Sequence, residues 1–266
     1  MSSEILPGAE AWSAPGDGDR AQTTIVVSHG FSGNPTSTRP LGEALAARGF
    51  RVEVVRLPGH GTNVLDMQRT RYADWRLEVA RAVSRGTSGT TRVIVVGLSM
   101  GGTIALDLAC APDTEIAGVV AINSTVLDRE GLLAKFAPQL EKILPIVPAG
   151  AAGLVKNDIA KGGEENAYAW FPAAAGNSFL AELPRIRREL LSMKTPLLVA
   201  YSPQDHSVPP ENSLALARLV AGPVETLVLT RSYHVATLDW DFDLLVDRIT
   251  RFADRFGKPG AANAAI

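Results

Sequence analysis

The stretch Val93-Ile94-Val95-Val96-Gly97-Leu98-Ser99-Met100-Gly101-Gly102 passes from a run of β-branched residues through a glycine-bounded turn into the helical pattern Thr103–Ala111. A serine placed as G-x-S-x-G between strand and helix sits on a turn so tight that its hydroxyl projects above the sheet. Only glycine two residues to either side leaves room for such a backbone. The helix that starts after Ser99 points its free amides and positive dipole end at the same spot, which favours a developing negative charge. Ser99 is therefore the candidate nucleophile. The competing reading is a glycine-rich strand-to-helix turn with no chemistry, and Ser124 is the alternative hydroxyl.

Outward from this turn the same alternation repeats. Thr24 to Ser28, Arg51 to Arg56, Arg92 to Gly97, Ile116 to Ile122, Pro196 to Tyr201 and Glu225 to Thr230 are short, apolar and bounded by Gly, Pro or polar residues, and they predict strands. Pro40 to Arg48, Tyr72 to Arg85, Met100 to Ala111, Glu211 to Val220 and Phe242 to Phe256 space their apolar residues at three and four, and they predict helices. Repeated βαβ units imply an α/β fold, a mostly parallel sheet with helices on both faces. Between Asn123 and Met193 the pattern predicts no strand. Leu133, Phe136, Leu140, Ile143 and Leu144 mix there with prolines 138, 145, 148 and 172. A connection of that length is rarely structureless. The expected division is a core of residues 1–122 and 194–257, a helical insertion of residues 123–193 above the sheet with a flexible bend at Ala149 to Gly153, and a disordered tail, 258–266. An extra packing layer is the other reading of the insertion.

The 266 residues carry 26 basic and 28 acidic side chains, a formal charge of −2, which argues against a nucleic-acid partner held by net positive field. With 46% hydrophobic and 20% charged residues the chain has the composition of an ordinary globular protein. The single cysteine, Cys110, makes neither an intrachain disulfide nor a zinc cluster, and cofactor-free, metal-free chemistry is expected. Residues 1–20 are broken by Pro7, Gly8, Pro15 and Gly16 and lack a signal-peptide pattern, so a cytoplasmic location is expected. No run reaches the ~18 apolar residues of a membrane helix, and no stable membrane anchor is expected, although Ile143 to Val155 is apolar.

A serine hydroxyl needs a base to take its proton. Of the four histidines, His29 lies in the Gly30 loop, His60 in the Pro58–Gly61 turn, and His206 directly after an aspartate, while His234 follows the last predicted strand and precedes the final helix. That puts His234 at the carboxyl edge of the sheet with Ser99. The carboxylate that orients its ring should also follow a strand. Asp205, four residues after Tyr201, fits, whereas Asp239, Asp241 and Asp243 begin a helix and read as caps. The loop His29-Gly30-Phe31-Ser32-Gly33 and the turn after Ser99 offer the backbone amides of Phe31 and Met100 as an oxyanion hole. His29 reads as a brace for this loop.

With H-G-F-S-G at His29 to Gly33, G-H-G at Gly59 to Gly61, G-L-S-M-G-G at Gly97 to Gly102 and S-Y-H-V-A-T-L-D from Ser232 to Asp239, the chain resembles the α/β-hydrolase superfamily. Within it, the likeness is to the bacterial carboxylesterase and monoacylglycerol lipase branch. The resemblance covers nearly the whole chain. It implies the α/β-hydrolase fold with a small helical cap over Asn123 to Met193, and the triad Ser99, Asp205 and His234. It also implies the Phe31 and Met100 amides as oxyanion donors, no metal or cofactor, and a small carboxylic ester of short or medium acyl chain as substrate. Phe31, Ile143, Ile146, Val147 and Leu154 are candidate acyl-pocket walls, and Asn157 and Asp158 candidate contacts for the alcohol. A thioesterase or amidase with the same triad, and a hydrolase-like binding protein without turnover, are the alternatives.

Overall fold

The computed structural model describes residues 3–89, 92–112, 114–128 and 141–257. Its strands are β1 (Trp12–Ala14), β2 (Thr23–Ser28), β3 (Arg51–Val54), β4 (Arg92–Leu98), β5 (Ile116–Ile122), β6 (Ile146–Pro148), β7 (Trp170–Pro172), β8 (Leu197–Tyr201) and β9 (Val224–Val228). Its α-helices are α1 (Arg39–Ala47), α2 (Val64–Gln68), α3 (Tyr72–Gly89), α4 (Met100–Ala109), α5 (Ala173–Leu180), α6 (Leu183–Leu190), α7 (Glu211–Leu219) and α8 (Phe242–Phe256).

Seven strands form one sheet in the order β1-β3-β2-β4-β5-β8-β9. All six strands expected from sequence are in it and are mutually parallel; β1, too short to read in advance, adds antiparallel to β3 at the edge. The pleat sends alternate residues to opposite faces. Val93 and Val95 of β4 join a core with Trp75 of α3, Ile104 of α4, Ile186 of α6 and Leu216 of α7. Ile94 and Val96 join a second core with Leu41 of α1 and Ile249 and Phe252 of α8. Because both faces are covered, the central strands need apolar residues at every position, which is why they read as unbroken hydrophobic runs. Trp75 is fully buried, with its indole N–H donating to the Pro58 carbonyl at 3.0 Å. Truncating such a side chain to alanine costs about 3–5 kcal/mol.

The insertion differs from the expectation in three ways. It contains strands: β6 and β7 pair antiparallel in a separate two-stranded sheet. Each has three residues and ends in proline, which gives no period to read and restricts pairing to a short edge ladder. The expected flexible bend is one 3-10 turn, Ala149–Ala152, closed by Gly153 at φ 71°. And α6 belongs to the core layer, since Leu183, Ile186 and Leu190 are buried with the helices under the sheet. Arg185 of α6 also reaches Asp107 of α4 at 3.0 Å. Leu133, Phe136, Leu140 and the 258–266 tail lie outside the described residues.

Parallel strands bring their carboxyl ends to one edge. Ser99 follows β4, Asn123 follows β5, Asp205 lies four residues past β8 and His234 six past β9. This edge carries the candidate site.

Candidate active site

Ser99 occupies the junction of β4 and α4 at φ 54°, ψ −121°. That positive φ is strained for a residue with a side chain. The strain is held by the main chain: the Ser99 amide donates to the Ile122 carbonyl at 2.8 Å, and its own carbonyl accepts from Gly102 and Thr103 at 3.0 and 3.2 Å. A Cβ on Gly97 would overlap the Gly101 backbone, so strand and helix can meet this closely only with glycine there. Opposite the turn, a Cβ on Gly30 would fall 3.1 Å from the Ser99 Cβ, which brings the His29–Gly33 loop against the hydroxyl-bearing side chain.

His234 and Asp205 meet as expected. The imidazole Nδ1 donates to Asp205 Oδ2 at 2.7 Å, and Asp205 Oδ1 accepts the amides of Ser207 and Val208 at 2.8 and 2.7 Å. With both carboxylate oxygens occupied, the acid is fixed and the tautomer leaves Nε2 free to accept a proton. Burial works against a charged ring. The Asp205 carboxylate, its hydrogen bond, Glu165 and Asp158 work for it, and the balance holds His234 above its ordinary value of 6.5. His234 and Ser99 line one cavity. The Ser99 hydroxyl makes no hydrogen bond to the imidazole among the described residues, a contact that in unliganded sites often tightens only when substrate arrives.

Phe31 lines this cavity, while Met100 is the fully buried first residue of α4. Neither backbone amide donates a hydrogen bond among the described residues, so both are unspent donors beside the turn. The loop bearing Phe31 is braced by His29, as its sequence position suggested. The His29 ring is fully buried, pairs Nδ1 with the Gly30 carbonyl at 2.9 Å and accepts the Leu57 amide on Nε2 at 3.2 Å. Burial, helped by Arg56 and opposed by the Gly30 carbonyl, lowers its pKa to about 4, so it stays neutral and bridges the two loops.

The other expected wall residues divide. Leu154 lines the cavity. Ile143 is 77% exposed, and Ile146 and Val147 are half-buried in β6, away from the cavity wall. Asn157 and Asp158 do not line it either. The Asn157 side chain accepts the Glu165 amide at 3.0 Å, and Asp158, 3% exposed, accepts the amides of His206 and His234. The expected helix caps also differ: Asp241 stands at the N-terminus of α8, yet its carboxylate binds Arg231 and Ser232 instead of the helix amides. A short polar side chain before a helix reads as a cap, but a loop folding back can take it first.

Three features escaped the sequence. Glu165 enters the cavity from the insertion, with its carboxyl accepting the Asn157 amide at 3.2 Å. Burial raises its pKa, with Asp158 adding to the rise and His234, the Asn157 amide and Lys156 opposing it. Phe171, Phe179, Leu180 and Val208 supply the apolar wall. Asn123, at φ 46°, donates to the carbonyls of Tyr233 and His234 at 3.3 and 2.8 Å and accepts the Ser202 amide at 2.8 Å, tying the ends of three strands together. Its signal was present: an asparagine directly after a buried strand is the residue type that tolerates positive φ.

Among the described residues no three His, Cys, Asp or Glu side chains are grouped to hold a metal ion, and no helix is long and apolar enough to cross a membrane. A profile of the Alpha/beta hydrolase family matches residues 25–258. The thermostable monoacylglycerol lipase of Bacillus sp. (strain H-257) is 34% identical over 249 residues, which span 93% of this chain and 95% of that relative. A solved structure from work on LipS and LipT, two metagenome-derived lipolytic enzymes, is 31% identical with a TM-score of 0.86, covering 94% of this chain and 99% of its own. The monoacylglycerol lipase of Paleococcus ferrophilus shares the fold at 18% identity, with a TM-score of 0.73 over 91% and 98% of the two chains. The family profile and this likeness along almost the whole sequence agree with the sheet and its turn: the chain belongs to the alpha/beta hydrolase family.

Proposed function

We propose that this protein hydrolyses carboxylic esters of short to medium acyl chain through Ser99, His234 and Asp205, by way of an acyl-enzyme. The observation that carries this reading is the 2.7 Å bond from His234 to a fully committed Asp205, on the cavity that the strained Ser99 also lines. The naming of a 34% identical relative as a monoacylglycerol lipase, and of a 31% identical solved structure among lipolytic enzymes, supports the ester as substrate class.

Ser99 Oγ attacks the ester carbonyl carbon as its proton passes to His234 Nε2. The carbonyl oxygen becomes an oxyanion held by the amides of Phe31 and Met100. Collapse breaks the bond to the alcohol oxygen, which takes the proton from His234. Water then attacks the acyl-serine, giving its proton to His234, and the acid leaves as the proton returns to Ser99. Asp205 stays ionised and stabilises the imidazolium in both halves. The insertion between Asn123 and Met193 acts as the cap, with α6 doubling as core. Phe171, Phe179, Leu180, Val208 and Leu154 receive the acyl chain, each buried methylene contributing roughly 0.8 kcal/mol. Glu165 offers a carboxyl to a hydroxylated leaving alcohol.

Ser99→Ala tests this on p-nitrophenyl esters. Turnover should fall by roughly a millionfold, with the melting temperature nearly unchanged. Comparable loss on changing Ser124 instead would move the nucleophile.

A further inference from the structure

Asp158 is a carboxylate that the proposed chemistry does not use, buried to 3% exposure at the foot of the insertion. Its Oδ2 accepts the amide of His206 at 3.0 Å and that of His234 at 3.3 Å. Its Oδ1 accepts from His206 Nδ1 at 2.7 Å, and its backbone carbonyl accepts the Val235 amide at 3.0 Å. One side chain of the insertion thus holds the residue after Asp205 and His234 itself. The brace is returned from the other side. Asp239, 1% exposed, accepts the amides of Ala160 and Lys161 at 2.6 and 3.0 Å together with that of Tyr233 at 2.9 Å.

Burying a carboxylate costs several kcal/mol unless partners repay it. Here the partners are two loop amides and one imidazole, all belonging to the segments that carry the acid and the base. We infer that Asp158 is a positioning residue for the hydrolytic reaction, setting the separation of the Asp205 and His234 loops from the insertion. The inference rests on the triad reading above. Its negative charge also favours the imidazolium. The charged groups acting on His234 are Asp205 from the acid loop and Asp158 and Glu165 from the insertion, with Lys156 beside Glu165, while the His206 ring packs against Tyr233 at 4.6 Å between centroids. Asp158 is the one among them that bonds both loops through their backbone.

The test is Asp158→Asn, which keeps shape and an acceptor oxygen but removes the charge. In the full-length protein acting on p-nitrophenyl butyrate, kcat should fall about tenfold to a hundredfold with KM nearly constant, as for a misplacement of about 1 Å. The acid limb of the kcat/KM profile should move to lower pH. His206→Ala removes an exposed ring and reads the same clamp should the first variant fail to fold. Its acid limb should move to higher pH, because the Asp158 charge loses a donor that shared it. Unchanged kcat and unchanged limbs in the folded variants, or a loss of melting temperature alone, would overturn the inference. Failure of the triad reading looks different: the wild-type protein would then resist fluorophosphonate at Ser99 whatever stands at 158.

Discussion

His234 Nδ1 donates to Asp205 Oδ2 at 2.7 Å, and Glu165, from the insertion, raises the same imidazole from across the cavity. In the proposed mechanism His234 must be neutral to accept the Ser99 proton, so activity should rise as pH climbs through the His234 pKa, which lies above 6.5. Replacing Glu165 by Gln removes a negative charge that favours the imidazolium. The acid limb of kcat/KM should therefore shift to lower pH, by a few tenths of a unit to about one unit. Steady-state profiles on a neutral ester measure this; a shift to higher pH would contradict the assigned geometry.

Phe171 lies where residue 176 has no side chain: a Cβ on Gly176 would overlap its ring, and its other neighbour is Phe31, with ring centroids 5.1 Å apart. All three line the cavity. Phe171→Ala should open the apolar wall and move the preferred p-nitrophenyl ester to longer acyl chains. Gly176→Ala should displace the ring and shift preference to shorter ones. With roughly 0.8 kcal/mol per methylene, each carbon gained should change relative kcat/KM about fourfold. Identical chain-length profiles in all three proteins would place the acyl chain elsewhere.

The buried histidines behind the His29–Gly33 loop should make the fold acid-sensitive. His29 titrates at about 4 when folded against 6.5 when free, and burial also keeps His60 well below 6.5. A depressed pKa gives stability that is complete above pH 6.5 and lost as pH falls toward 4, because the unfolded chain takes up the proton first. For His29 alone the loss is about 3 kcal/mol. Urea midpoints should drop across this window and drop less in His29→Gln; equal slopes for the two proteins would count against the neutral brace.

Much of this site was legible because its parts are local. The strand, glycine turn and helix around Ser99 are contiguous, and Asp205 and His234 each follow a strand whose apolar run announces it, so parallel topology alone brings them to one edge. The walls were legible only in part: Phe31 and Leu154 line the cavity, whereas Ile143, Ile146 and Val147 do not. Whether Ile143 faces solvent and Phe171 faces the cavity depends on how the insertion docks, which no period within it encodes. Asp158 shows the same limit: polarity marks a residue that needs partners, but not whether a ligand or two loop amides will supply them. The strands β1, β6 and β7 are each three residues long and stand beside glycine or proline, too short for alternation to appear.

The most direct measurement is mass spectrometry of the intact and digested protein after reaction with an alkyl fluorophosphonate, with Ser99→Ala and His234→Ala alongside. One phosphonate on the peptide containing Ser99, none on Ser99→Ala and greatly slowed labelling of His234→Ala is the predicted result. Labelling at another residue, or a folded wild-type protein that does not react, would contradict the claim that these side chains form one hydrolytic site.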